Sequence, residues 1–215
     1  MTHRPWLLSA HPELSGLPYH PIGRYPSPLT RMERVSRLMG ATGIWVKRDD
    51  QISTAYGGNK ARKLEWLLGD ALEKGAEAVL TLGVVGSNHV LATAVHGAAA
   101  GLHVEAVTFP GPEGARAEAR SRAAETHGAI LHHVPGKAAI PWAVGRRRLA
   151  ARRTRTTYIA GGGSSAIGGL GYVDAAFELA HQITEGVMPE PTAIFVAAGT
   201  GGTMAGLALG CRLAG

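Results

Sequence analysis

From Asn59 to Leu213 the chain alternates short apolar runs with longer stretches of helical periodicity, and this alternation constrains the fold more than any other feature. Ala78–Leu82, His103–Thr108, Ala129–His133, Thr156–Ile159 and Ala193–Ala198 have strand length and composition. The stretches expected to be helical are Asn59 to about Gly75, Ser87–Ala100, Ala115–Thr126, Ala138–Arg153, Gly171–Thr184 and Thr203–Leu213. Strands joined through helices pair in parallel, with helices on both faces of the sheet. The fold class expected is therefore α/β and doubly wound. Such sheets receive ligands outside the carboxyl ends of their strands, so function is sought there. Upstream, Pro18, Pro21, Pro26 and Pro28 predict a segment that runs over the surface until about residue 30. A helix is expected from Thr30 to Gly40, then a strand over Ile44–Lys47.

Composition narrows the classes. Over 215 residues, 45% are hydrophobic and 18% charged, which suits a folded globular chain. A single cysteine, Cys211, excludes an internal disulfide framework. No apolar run has the length of a bilayer span, and Trp6-Leu7-Leu8 is too short for a signal segment, so no membrane partner and a cytoplasmic location are expected. The net charge of +6 is local. Six arginines between Arg146 and Arg155 account for it, and the remaining chain is formally neutral. That run holds no aromatic residue for base stacking and no recognition module accompanies it, so nucleic acid is not an expected partner. It reads as a solvated helix face or as an anion or interface patch.

Several turns carry chemistry. In Tyr56-Gly57-Gly58-Asn59-Lys60-Ala61-Arg62-Lys63-Leu64-Glu65, the glycines permit a tight turn and Asn59 suits an N-cap. Lys60, Arg62 and Lys63 then fall in a first helical turn, where the macrodipole disfavours cations unless an anion such as a phosphate is near. By charge alone Lys60 and Lys63 are equal candidates. After the strand ending at Leu82 comes Gly83-Val84-Val85-Gly86-Ser87-Asn88-His89. Its serine reads either as a plain N-cap or as part of a carboxylate receptor, and His89 alone reads as a solvated first-turn histidine. Gly161-x-Gly163-x-x-Ala166 matches a dinucleotide fingerprint, but the next apolar run ends at Ala198-Gly199 with no acid for a ribose, so the fingerprint fails its context. Gly199-Thr200-Gly201-Gly202-Thr203 offers free N–H groups and hydroxyls at a helix start, an anion nest without the P-loop lysine.

These segments, in this order and preceded by Lys47-Arg48-Asp49-Asp50, resemble the family of 1-aminocyclopropane-1-carboxylate deaminase and D-cysteine desulfhydrase. The resemblance runs from about Pro26 to Gly215 and includes Gly162–Tyr172, which is similar to the family's GGSNPIGALGY. It implies pyridoxal 5'-phosphate (PLP) as cofactor and the tryptophan synthase β-subunit-like fold, fold type II. Two open doubly wound sheets follow from it: a large domain of 1–62 and 158–215, incomplete at its C-terminal end, and a small domain of 63–157. It further implies that Lys60 holds PLP as a Schiff base and acts as base, with Ser87 beside it. Asn59, Lys63, Thr200, Gly201, Gly202 and Thr203 would hold the phosphate. Asn88 would approach the phenolic oxygen, and Ser87, Asn88 and His89 the carboxylate of a small amino-acid substrate.

The expected reaction is elimination from D-cysteine to pyruvate, ammonia and sulfide. Ring-opening deamination of a cyclopropane amino acid is the alternative, and a truncated, non-catalytic PLP-binding remnant the third reading; a homodimer is compatible with each. His89 favours the sulfur-eliminating branch, because the deaminases usually carry glutamine there. Three positions depart from the family. Gly86 replaces a glutamine, which is expected to widen the floor of the site, and Ser165 and Ala166 replace Asn and Pro. Relatives also continue for about another third of a chain, so an open sheet edge is expected.

Overall fold

The computed structural model describes residues 4–150 and 155–215. Helix α1 (Trp6–Ala10) buries Leu7 and Leu8 against Trp66 and Val173, and the Leu7 N–H donates to Asp174 Oδ1 at 2.8 Å. The proline-rich segment that follows is fastened down instead of wandering. Glu65, buried, accepts from the Tyr19 and Tyr25 hydroxyls and from the Ile22 and Gly23 N–H groups, at 2.7–3.0 Å. Four donors satisfy this carboxylate, and no ion pair among the described residues includes it. Strand β1 (Leu29–Arg31) pairs antiparallel with β2 (Trp45–Lys47) around α2 (Glu33–Met39), which Gly40 closes in a left-handed conformation. The helix expected from Thr30 starts later because Leu29–Arg31 is taken up in strand pairing.

Helix α3 (Asn59–Glu73) leads into the sheet. Strand β3 (Ala78–Val84), α4 (Asn88–Ala99), β4 (His103–Phe109), α5 (Ala115–Thr126), β5 (Ile130–His133), α6 (Ile140–Ala150) and β6 (Thr156–Tyr158) follow in turn. The four strands are parallel in the order β5-β4-β3-β6, with Val79 opposite Val104 and Thr157. Successive residues of β3 face opposite ways. Val79 packs with Leu64, Leu68, Leu91 and Val95 of α3 and α4, whereas Leu80 packs with Val107 and with Ala143 of α6. Helices thus cover both faces, as a buried parallel sheet requires.

Helix α7 (Ala166–Thr184) packs on α3, and α8 (Gly202–Ala214) packs on α7. The contacts are close: a Cβ on Gly171 would lie 2.2 Å from the Arg62 carbonyl oxygen, and one on Gly206 2.5 Å from that of Gly169. Ser165 caps α7 by accepting from the Gly168 N–H at 3.1 Å, so this helix begins five residues before the position expected from periodicity. The strand expected at Ala193–Ala198 is not formed, and Phe195 is 95% exposed. A strand needs a neighbour to bond its N–H and C=O groups, and no described residue supplies one. The second doubly wound sheet is accordingly not formed among the described residues; beside the parallel sheet stands only the β1–β2 pair.

The helix expected over Ala138–Arg153 is described to Ala150, and residues 151–154 lie outside the described residues. Arg146 lies over Trp142, Arg148 over Tyr158, and Arg147 reaches Glu105 at 3.8 Å. No helix of the described residues is long and apolar enough to cross a membrane.

Candidate active site

The turn before α3 is forced by its neighbours. A Cβ on Gly57 would sit 2.1 Å from the Asp50 carbonyl oxygen, and Gly58 caps the helix at φ 110, where other residues are strained. Asn59 is therefore the first helical residue and not the N-cap; its Oδ1 accepts from Lys60 Nζ at 3.0 Å. The three cations of this turn separate. Arg62 points inward, donating to Asp49 Oδ1 at 2.8 and 2.9 Å and to Glu178 Oε2 at 2.8 Å. Tyr172 donates to the other Asp49 oxygen, and Lys47 joins Glu178 at 2.5 Å. Burial opposes the charge on Arg62, but the two carboxylates outweigh it and hold the guanidinium ionised. Arg62 thus needs no outside anion.

Lys60 and Lys63 remain for the cleft, which they line together with Asn59, Gly199, Thr200, Gly201 and Thr203. Lys63 is 1% exposed, and its Nζ lies 3.3 Å from the Gly162 carbonyl oxygen and 3.4 Å from Ser164 Oγ. Burial, then the charge of Lys60, pull Lys63 down to about 8; burial also lowers Lys60. The opposite wall is the start of α8. Gly201 takes φ 81, and the first N–H groups of the helix have no intrahelical acceptor. A Cβ on Gly202 would lie 2.6 Å from Ser164 Oγ and 3.0 Å from Lys63 Nζ, so glycine keeps this cradle open. No acid of the described residues lines it. Two amines, free N–H groups and hydroxyls without a carboxylate form a donor set that fits a phosphate ester.

Ser164 was not singled out from sequence. Its hydroxyl lies 2.5 Å from Thr200 Oγ1 and links the glycine turn after β6 to the α8 loop. The available signal was a hydroxyl directly after Gly161-Gly162-Gly163, at the end of a strand.

The third turn joins β3 to α4. Ser87 caps α4, accepting from the His89 N–H at 3.2 Å. Asn88 Oδ1 accepts from the Tyr56 hydroxyl at 2.9 Å, which ties this turn to the one that carries Lys60. His89 is neither solvated nor turned outward. Its ring is 3% exposed with Nε2 2.9 Å from Thr81 Oγ1, and burial, then the charges of Lys60 and Lys63, push its pKa down to about 3. Gly86 does not widen the floor. It takes φ 73, and a Cβ there would meet the backbone of Ala117 at 2.4 Å, so α5 fills that space. Tyr56, Thr81 and Arg120, which reaches Asn88 Oδ1 at 3.2 Å, carried no sequence signal as isolated residues.

Residues 22–215 match the family described as pyridoxal-phosphate dependent enzyme. The chain is similar to a D-cysteine desulfhydrase of Salmonella choleraesuis (strain SC-B67), 36% identical over 211 residues, covering 90% of this chain and 62% of the relative. The D-cysteine desulfhydrase of Salmonella newport (strain SL254) gives the same values. Among solved structures, one described as an ACC deaminase homologue superposes with a TM-score of 0.80 at 33% identity, over 97% of this chain and 62% of its own. A fungal L-serine ammonia-lyase from Rhizomucor miehei superposes at 0.69 with 21% identity, over 88% of this chain and 56% of its own, a likeness of fold. The chain spans 62% of the length of the curated relatives it matches. With the match extending from residue 22 to residue 215, the chain belongs to the pyridoxal-phosphate dependent enzyme family.

Proposed function

We propose that the cleft between Lys60 and Thr200 binds PLP and serves a lyase acting on a small amino acid, with elimination from D-cysteine to pyruvate, ammonia and sulfide as the leading reaction. One observation carries the reading: two lysines and the start of α8 enclose an acid-free cradle, in a chain 36% identical to D-cysteine desulfhydrases. When bound, PLP supplies the electron sink for breaking bonds at the substrate's α-carbon. The chain's own residues then bind, orient and move protons. Lys60, partly desolvated, would be the amine that attaches the cofactor and, once the substrate's amine has displaced it, the base that takes the α-proton. Lys63, Asn59, Thr200, Gly201, Gly202 and Thr203 hold the phosphate, with Ser164 steadying Thr200. Ser87 and Asn88 face the substrate carboxylate and the cofactor ring, and His89 supports that turn from within, through Thr81.

The same reading divides the chain into a cofactor-holding lobe of 1–62 with 158–215 and a smaller lobe of 63–157. It sets the protein in the cytoplasm, with a homodimer as its assembly. Ring opening of 1-aminocyclopropane-1-carboxylate is the second reading, supported by the 33% identical ACC deaminase homologue.

The test is borohydride trapping of PLP followed by peptide mapping. Label is expected on Lys60, lost in Lys60→Ala and only weakened in Lys63→Ala; label on Lys63 would overturn the assignment. Pyruvate formed from D-cysteine, against 2-oxobutanoate formed from the cyclopropane substrate, separates the two reactions. Release of neither by the cofactor-loaded chain sinks both.

A further inference from the structure

Asn88 opens α4 beside the Ser87 cap, and its carboxamide is held from two sides. The Tyr56 hydroxyl donates to Oδ1 at 2.9 Å and Arg120 Nη1 donates to the same oxygen at 3.2 Å. Tyr56 comes from the turn that leads to Lys60, and Arg120 from α5, so three separate segments meet at one atom. A carboxamide oxygen has two lone pairs, and here both are engaged. The opposite end, an NH2 with two donors, makes no hydrogen bond to the described residues and stays available to a ligand.

The orientation is one-way because of Arg120. A guanidinium carries donors only, so an NH2 turned toward it would set donor against donor. Tyr56 alone would accept either orientation, since a hydroxyl both gives and receives. Nothing else recruits the guanidinium: no ion pair among the described residues includes Arg120, and its buried Nε has no hydrogen-bond partner.

We propose that Arg120, assisted by Tyr56, is a positioning residue that fixes the Asn88 carboxamide with its N–H donors toward the ligand, so that this position selects an oxyanion and rejects a donor. The inference rests on the cofactor reading above, in which the group that meets Asn88 is the phenolic oxygen of PLP. A donor aimed at that oxygen stabilises its deprotonated form, so losing the donor raises the pH at which the neighbouring proton leaves.

The experiment is a pH titration of the visible absorbance of the PLP-loaded 215-residue chain, with thermal melts as a folding control. Arg120→Met is expected to raise the midpoint by about one pH unit, a tenfold change in proton affinity. Tyr56→Phe should move it less, and Arg120→Lys, again a donor-only cation, should restore most of it. In an Asn88→Ala background Arg120→Met should add nothing, because its effect runs through that side chain. An equal shift in that background would show that the arginine acts on the cofactor by charge alone, and would overturn the proposal. So would an unmoved midpoint in Arg120→Met. Should that variant fail to fold, Arg120→Gln replaces it: an amide can donate or accept, so the midpoint should rise by a smaller amount, and no rise counts against the proposal. Failure of the cofactor reading looks different. The unsubstituted chain would then show no visible band, or borohydride label away from Lys60, and that result overturns both.

Discussion

The buried His89 illustrates how a single side chain can set the acid sensitivity of the fold. Its pKa is about 3 in the folded state, against an ordinary 6.5, with burial the first cause and the charges of Lys60 and Lys63 next. The unfolded chain therefore binds a proton between pH 6.5 and 3 that the folded chain refuses. Stability from the neutral ring is fully present above pH 6.5 and is lost as pH falls toward 3. His89→Gln keeps a hydrogen-bonding group for Thr81 and removes the titration. Its stability should fall less on acidification, with the difference from the parent growing below pH 6.5 to the order of a few kcal/mol near pH 4. Parallel melting curves for the two proteins between pH 7 and 4 would refute this. Residues whose partners are close in sequence were legible beforehand, as Ser87 with its cap bond to the His89 N–H illustrates. Arg62 was not, because its acids stand 13 and 116 residues away and only the fold brings them together. His89 was misread for the same reason: its surroundings are made by Thr81 and the two lysines, not by its neighbours in α4.

At the level of elements, the period of the apolar residues predicted β3 to β6 and the helices between them to within a few residues, since each is defined by its own pattern. Boundaries set by other segments were less legible: Leu29–Arg31 became a strand because β2 lies beside it, and Ala193–Ala198 failed to become one for want of a neighbour. The crossing of α7 over α3 is another feature fixed by close approach. Gly171 sits where a Cβ would lie 2.2 Å from Arg62 backbone oxygen, whereas a Cβ on Gly169 would meet nothing within 4 Å. Gly171→Ala must push the helices apart and strain the Arg62–Glu178 pair, costing about 1–3 kcal/mol or more. Gly169→Ala removes freedom from the unfolded chain and should stabilise by about 0.4–1 kcal/mol. Chemical denaturation of both variants decides the matter, and equal effects would mean that the α3–α7 contact is not the tight point. Loosening this crossing should also weaken PLP retention, because the base of α3 positions Lys60 and Lys63.

At the scale of the whole molecule, the described residues leave large apolar side chains exposed in the segment 194–196 and along α8. Ile194 is 45%, Phe195 95% and Val196 36% exposed, and Met204, Leu209 and Leu213 of α8 are about half exposed. Monomeric soluble proteins seldom leave so many large apolar groups open in one region, and an unpaired apolar segment is a template for association. The open sheet edge expected from the sequence is not formed, because residues 193–198 make no strand; exposed apolar side chains stand there instead. The 215-residue chain should therefore self-associate as its concentration rises, with Phe195 contributing most among these residues because it has the most surface left to bury. Covering a phenylalanine contributes about 1.5–3 kcal/mol, which corresponds to roughly a ten- to hundredfold change in an association constant. Phe195→Asp should weaken association by that factor in sedimentation velocity. Its melting temperature should stay close to that of the parent, since an exposed substitution away from the core changes stability by about 0.5 kcal/mol at most. A parent chain that stays monomeric throughout the micromolar range, or one whose association ignores Phe195→Asp, would show that this surface is not where copies meet.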